Sequence, residues 1–157
     1  MIVRISRALH RPWVYPPETR SAFAAYLHPT KRGDFVRLLI CRQIDDRIVG
    51  LASLSQIFRG GFQNAYLGFW GSAEFAGQGY MREGLPLVLR HAFKVLKLHR
   101  LEANVQPANK ASKALIKRSG FRYEGFSPRY LKVGALWRDH ERWALIREEW
   151  RGLVKGD

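Results

Sequence analysis

Phe75-Ala76-Gly77-Gln78-Gly79-Tyr80-Met81-Arg82 follows an apolar run, Ala65-Tyr66-Leu67-Gly68-Phe69-Trp70, and opens a stretch with helical spacing. The run reads as a strand and the stretch after it as a helix. Two glycines at i and i+2 let the backbone turn tightly and expose its N–H groups. A helix starting there adds its own unpaired amides and the positive end of its dipole. Strand, glycine turn and helix N-terminus together form an anion site, most often for phosphates. The same pattern also serves ordinary strand-to-helix connections, so the rest of the chain has to decide between them.

Outward from this turn, the pattern gives the order of elements. Residues 1–11 are basic and weakly helical, and residues 12–17 read as a stiff linker. Pro17 and Glu18 suit the first turn of a helix running to Leu27, with Phe23, Tyr26 and Leu27 on one face. His28-Pro29 ends it. Residues 35–41 read as a strand, Asp45-Asp46 as a turn, and residues 47–57 as the hairpin partner. Gly60-Gly61 turns the chain into the strand that ends at Trp70. A helix is expected over residues 80–97, with Met81, Leu85, Val88, Leu89, Ala92 and Leu96 at helical spacing, and Pro86 is expected to bend or loosen its second turn. Residues 100–106 read as a strand with Leu101, Ala103 and Val105 on one face and Glu102 and Asn104 on the other. Asn109 suits the N-cap of a helix closed by Ser119-Gly120. Residues 121–133 and 136–146 read as two long strands joined at Gly134, and residues 147–154 as one or two helical turns. This order predicts one α/β domain over residues 1–157, with a mixed, mostly antiparallel sheet. The helix from Tyr80 supplies its single parallel crossover.

Apolar residues at 46% and aromatics at 13% exclude a disordered chain. No apolar run is long enough to cross a bilayer, and the N-terminus lacks the apolar block of a secretory signal. Cys41, the single cysteine, has no partner for an internal disulfide and is expected to be a small buried residue of its strand. Together these features predict a reducing, cytoplasmic setting. The net charge is +14, from 27 Lys and Arg against 13 Asp and Glu. That favours polyanionic partners: nucleic acid, the ribosome, an acidic protein or a phosphorylated cofactor. Between Arg90 and Arg122 lie Lys94, Lys97, Arg100, Lys110, Lys113, Lys117 and Arg118, with Glu102 the only acid among them. A multiply phosphorylated ligand at the glycine turn would feel this segment, although singly most of these side chains suit a solvated helix face. Five scattered histidines and one cysteine show no metal-ligand spacing. His28, His91 and His99 read as surface or capping residues.

Several ordered blocks resemble the GCN5-related N-acetyltransferase superfamily, and more narrowly its bacterial ribosomal-protein-alanine N-acetyltransferases. They are Phe58-Arg59-Gly60-Gly61-Phe62, Ala65-Tyr66-Leu67-Gly68-Phe69, Gly77-Gln78-Gly79-Tyr80-Met81 and His99-Arg100-Leu101-Glu102-Ala103-Asn104. Pro107-Ala108-Asn109-Lys110-Ala111-Ser112, Ser119-Gly120-Phe121, Glu124-Gly125 and Gly134-Ala135-Leu136-Trp137-Arg138-Asp139-His140 follow. The resemblance implies an acetyl-coenzyme A donor, with backbone amides of Gly77, Gln78, Gly79, Tyr80, Met81 and Arg82 on the pyrophosphate. It implies that the strand ending at Phe69 and Trp70 pairs with the pantetheine arm, and that this strand splays from residues 100–106 to leave a slot. Asn109 is counted among the coenzyme-binding positions. The family's glycine loop usually begins with Gln or Arg and ends with Gly or Ala; here those positions are Ala76 and Met81. A tyrosine acid found in many members is replaced by Ile116, while Ser112 matches a serine proposed for that role. The family's first strand precedes the region of Pro12-Trp13, where only eleven residues stand, so it is expected to be missing or truncated.

Acetyl transfer to an amine needs a deprotonated amine, a polarised thioester carbonyl and a leaving thiolate that can be protonated. An amide near Phe69 or Trp70 suits the carbonyl oxygen. Direct transfer in a ternary complex needs no enzyme nucleophile. Ser112 is the candidate to hydrogen-bond the sulfur, and also suits an ordinary polar position in a helix's first turn. Glu102 is the candidate base, although pairing with Arg100 or Arg122 suits it better; Glu124 stands similarly. Tyr130 suits the wall of an acceptor tunnel or an aromatic core, and Asp139 a substrate ammonium or a structural role. The acceptor is expected to be a protein N-terminal α-amine. Two other readings stay open: a small-amine acetyltransferase, and a non-catalytic basic module binding RNA or the ribosome. A truncated sheet edge would also invite pairing into a homodimer.

Overall fold

The structure is a computed structural model that describes residues 2–28 and 33–152. Strands β1 (Val36–Cys41), β2 (Ile48–Phe58), β3 (Asn64–Gly71), β4 (Arg100–Val105), β5 (Arg122–Val133) and β6 (Leu136–Ile146) form one sheet in the order β1-β2-β3-β4-β6-β5. Every neighbouring pair is antiparallel except β3 and β4. Helices α1 (Ile2–Ile5), α2 (Arg7–His10) and α3 (Arg20–Leu27) precede the sheet, α4 (Tyr80–Arg90) connects β3 to β4, and α5 (Lys110–Arg118) connects β4 to β5. This is the mixed α/β architecture that the sequence pattern predicts.

Alternation along the strands sends their side chains to two different cores. Ala65 and Leu67 of β3 and Leu101, Ala103 and Val105 of β4 pack with Leu85, Val88 and Leu89 of α4 and Ile116 of α5. On the opposite face Leu51 and Trp70 pack with Val3 of α1 and Phe23, Tyr26 and Leu27 of α3. The sheet therefore has a large core under α4 and α5 and a smaller one under the N-terminal helices. Gly84 lets α4 settle on the sheet: a Cβ there would lie 2.5 Å from Ile40 Cγ2.

Several boundaries differ from the sequence pattern. The helix expected from Pro17 starts at Arg20, because Thr19 is its N-cap and its Oγ1 accepts the Ala22 amide at 3.2 Å. It is capped at His28, and Pro29 lies outside the described residues. The helix expected over residues 80–97 runs through Pro86, ends as α4 at Arg90 and continues as one π-helical turn, His91–Val95. Pro86 has no N–H for the Arg82 carbonyl, a loss near the helix start that the chain absorbs without a break. Cys41 is exposed rather than buried: on edge strand β1, Ile40 faces the core and Leu39 and Cys41 face out. Residues 147–149 form a single turn, and residues 153–154 of the expected tail lie outside the described residues. Among the described residues, none before Val36 is in a strand. In that region α1 and α2 are tied to the end of β3: Ser6 Oγ accepts the Ala73 amide at 2.9 Å, and the His10 imidazole bonds the Gly71 carbonyl at 2.7 Å.

Candidate active site

β3 and β4 pair only at Asn64, Ala65 and Tyr66, opposite Arg100, Leu101 and Glu102. Beyond Tyr66 the two strands separate. β2 still holds β3 as far as Gly71, and β6 holds β4 as far as Val105. The gap between them opens into a slot of about 510 Å³, walled by residues 67–72 and 103–106. Gly77, Gly79, Met81 and Arg82 line one end, Asn109 and Ser112 the side under α5, and His10, Trp13 and His140 the side under the N-terminal segment. Gln106 Nε2 donates to the Trp13 carbonyl oxygen at 3.3 Å, so this segment bridges the ends of both splayed strands.

The glycine turn is built as an anion cradle requires. Gly77 (φ 76°) and Gly79 (φ 87°) hold left-handed conformations that disfavour a side chain. A Cβ on Gly77 would meet nothing within 4 Å. The amides of Gly77, Gly79, Tyr80, Met81 and Arg82 find no acceptor among the described residues. Gln78 differs: its amide turns to the Phe75 carbonyl at 3.4 Å, and its side chain donates to the Glu74 carbonyl at 2.9 Å.

Other expected site residues divide between the slot and its surroundings. Phe69 and Trp70 line it from β3. Asn109 caps α5, its Oδ1 accepting the Ser112 amide at 3.1 Å, and so fixes the turn that carries the Ser112 hydroxyl into the slot wall. Glu102 is outside the walls, accepting from Arg100 Nε at 2.8 Å. Arg100 also grips Glu124, with Nη1 at 3.1 Å from Oε1, and this hydrogen bond holds the Glu124 carboxyl below its ordinary range. Tyr130 is near the Tyr66 hydroxyl, whose pKa is raised mainly by burial and then by the Glu102 and Tyr130 side chains. Asp139 Oδ1 accepts the Arg129 amide at 2.7 Å across an irregularity of the β5–β6 ladder. Neither Tyr130 nor Asp139 lines the slot.

Two further residues line the slot: His10, which nothing in the sequence singles out, and His140, whose Trp137-Arg138-Asp139-His140 block reads from sequence as mostly structural. His140 is on β6 with its Nδ1 2.9 Å from the Arg138 carbonyl oxygen, and burial lowers its pKa. The period-two pattern of β6 signals which face His140 takes. Its reach into the slot depends on the splay of two other strands. His10 arrives through tertiary packing of a four-residue helix, and the sequence carries no local sign of it. Among the described residues, no group of His, Cys, Asp and Glu is placed to hold a metal ion, and no helix is long and apolar enough to cross a membrane.

A parallel strand pair that opens into a slot, ending at free amides on a helix N-terminus, defines an acyl-transferring class of enzyme. The chain matches the family model of the acetyltransferase (GNAT) domain over residues 3–122 and belongs to that family, whose acyl donor is acetyl-coenzyme A. It is 39% identical over 105 residues to the probable N-acetyltransferase YjcK of Bacillus subtilis, covering 67% of this chain and 58% of that protein. It is 37% identical over 106 residues to the [ribosomal protein uS5]-alanine N-acetyltransferase of Escherichia coli, covering 68% and 55%. The chain thus spans a little over half the length of these relatives. Among solved structures, Mycobacterium smegmatis RimJ in complex with CoA-disulfide superposes with a TM-score of 0.80 at 28% identity, covering 94% of this chain and 75% of that one. The ribosomal-protein-S5-alanine acetyltransferase of Vibrio fischeri gives 0.78 at 25% identity, covering 96% and 86%.

Proposed function

We propose that this protein is an acetyl-coenzyme A-dependent N-acetyltransferase that acetylates a protein N-terminal α-amine by direct transfer in a ternary complex. The observation that carries this reading is the splay of β3 from β4, with the slot ending at the free amides of the glycine turn. The acceptor class is supported by the likeness to the uS5-alanine enzyme and its structural counterpart. The protein is read as cytoplasmic, in keeping with that substrate.

The residues fit the donor. Five unpartnered amides and the open space over Gly77 suit a diphosphate. Acetyl-coenzyme A supplies the thioester. The protein's part is to lay it along β3, to hold the carbonyl oxygen with an amide near Phe69 or Trp70, and to hydrogen-bond the departing sulfur through Ser112. Asn109 and the helix it caps position Ser112. Gln78 braces the turn through Glu74 rather than offering its amide. Asp139 shapes the β5–β6 hairpin, and Tyr130 faces the acceptor side beside Tyr66.

The basic surface is read as a contact for ribosomal RNA. Tyr123, Phe126 and Trp137 are exposed along one face of the β5–β6 hairpin, beside Lys132 and the basic helix α5. The test of the catalytic reading is thiol release from acetyl-coenzyme A against peptides with an N-terminal alanine and against small amines. Coenzyme A alone should raise the melting temperature in a saturable way. No binding at millimolar coenzyme A rejects the reading.

A further inference from the structure

We propose that His140 is a catalytic residue, the base that takes the proton of the attacking amine. This rests on the reading of the slot as an amine acetyltransferase site.

The ring is oriented for that task. His140 is only 3% exposed, yet it forms part of the slot wall. Its Nδ1 is 2.9 Å from the Arg138 carbonyl oxygen. A carbonyl only accepts, so Nδ1 carries the hydrogen and donates. The lone pair of the neutral ring is then on Nε2. Nε2 makes no hydrogen bond among the described residues and is not sealed from solvent. The other slot histidine differs: His10 gives Nε2 to the Gly71 carbonyl, and its Nδ1 is sealed off without a partner. Only His140 offers the slot a fixed, unengaged imidazole lone pair.

The sheet supplies a second argument. The β4–β6 ladder ends with Val105 opposite Glu141, so His140 is the first β6 residue past it, at the mouth of the gap. On β6, Trp143 and Leu145 face the α4–α5 core, and Glu141 meets Lys113 of α5 at 3.1 Å. By alternation His140 and Arg142 take the opposite face. Ser112, on α5, is on the first face. An acyl carbon held in the gap is thus flanked by a hydroxyl on one side and an imidazole on the other. The amine nitrogen forms the new C–N bond and its proton passes to His140 Nε2, directly or through one water. The C–S bond breaks, and the thiolate leaves beside Ser112 and is protonated from solvent.

The surroundings keep the ring neutral. Burial lowers its pKa from the ordinary 6.5, while the Arg138 carbonyl and Asp139 oppose that shift. Tyr130 of β5 packs by the ring, with centroids 6.4 Å apart, Arg142 shares its face of β6, and the charged or titratable groups elsewhere on the slot walls are His10 of α2 and Arg82 of the glycine turn.

The test uses the full chain and whichever amine the wild type accepts. In wild type, kcat/KM should fall in acid twice, first through the pKa of the free amine and then through a second, lower apparent pKa below 6.5, the limb assigned to His140. His140→Gln should lose that limb and at least about a hundredfold in kcat, keeping the acetyl-coenzyme A KM and the coenzyme-induced rise in melting temperature. Added imidazole should restore part of the rate of His140→Ala. Independently of activity, 15N NMR of the wild-type ring should report the tautomer with hydrogen on Nδ1. A rate within about threefold of wild type in His140→Gln, or an Nε2–H tautomer at neutral pH, overturns the proposal. So does an acidic limb that disappears in Glu102→Gln instead. A wild type that acetylates small amines but no N-terminal peptide rejects the acceptor reading and leaves the His140 result standing.

Discussion

Ser112 is the third residue of α5, and the Asn109 cap that starts the helix also fixes the backbone carrying its hydroxyl. That hydroxyl makes no hydrogen bond among the described residues, as a donor reserved for an arriving sulfur should. Ser112→Ala should therefore lower kcat by about tenfold to a hundredfold, with the acetyl-coenzyme A KM little changed, in steady-state thiol release. An equal rise in KM would mean that the hydroxyl binds the donor rather than the leaving group. His140 and Glu124 also make stability depend on pH. A histidine whose pKa is lowered on folding binds its proton more weakly in the native state, so acid favours the unfolded chain. This penalty begins as pH falls below 6.5, the ordinary value, and is complete below the folded-state value. Glu124 is held down chiefly by Arg100, so its stabilisation is present above the usual carboxylate range and is lost as pH falls through its folded pKa. Urea denaturation should show two acidic declines. His140→Gln should remove the upper one, and Glu124→Gln should reduce the lower, to which Asp45, Glu18 and Glu148, also lowered, contribute.

The glycine turn and α4 act as one element, and two glycines in it do different work. Gly77 holds φ 76° beside open space. Gly77→Val adds a branched side chain where the diphosphate is read to sit, and its left-handed backbone costs about 1–2 kcal/mol. The expected result is an acetyl-coenzyme A KM raised by at least about tenfold, with the far-UV spectrum unchanged. Gly84 is a packing position, and Gly84→Ala drives a Cβ to 2.5 Å from the Ile40 side chain. Overpacking of this kind should cost about 1–3 kcal/mol in chemical denaturation, without a specific change in coenzyme affinity. Of these two, Gly77 was legible in the sequence and Gly84 was not, because its approach to Ile40 is a tertiary contact. Ala65–Trp70, Gly77 and Gly79 announced strand, turn and helix because each follows a local rule. So did Leu101, Ala103 and Val105, and the Asn109 cap. The start of α3 was misread because Pro17-Glu18 fits a first turn as well as Thr19 fits a cap, and the Thr19 hydroxyl bond decides it. Cys41 was misread because an apolar strand does not reveal that it is an edge. The place of His10 and His140 in the slot was not legible, and His140 read as part of a structural block, because a slot wall is assembled from separated segments and no local pattern encodes it.

At the scale of the molecule, the excess of positive charge has a location and an aromatic companion. The β5–β6 register puts Tyr123 opposite Trp143, Phe126 opposite Glu141 and Lys132 opposite Trp137, all on the face that carries α5. Tyr123, Phe126 and Trp137 are 52%, 49% and 62% exposed, far more than aromatic side chains need to be on a sheet that packs only on itself. The acids on this face are engaged: Glu141 by Lys113 and the Trp143 indole, Asp139 by the Arg129 amide. Lys110, Lys117 and Arg118 of α5 are exposed nearby. Aromatic faces interleaved with cations stack bases and track a phosphate backbone without reading sequence. The full chain should bind single-stranded RNA with an affinity that falls steeply as salt rises. Lys132→Gln should reduce the salt slope by about one, as loss of a single phosphate contact does. Trp137→Ala should weaken binding by about 1–3 kcal/mol with the slope unchanged, as loss of a stacked base does. Fluorescence anisotropy at four or five salt concentrations separates the two. A salt-independent affinity, or full binding when Lys132→Gln and Trp137→Ala are combined, would place the charge in some other role and leave the hairpin aromatics without a nucleic-acid partner.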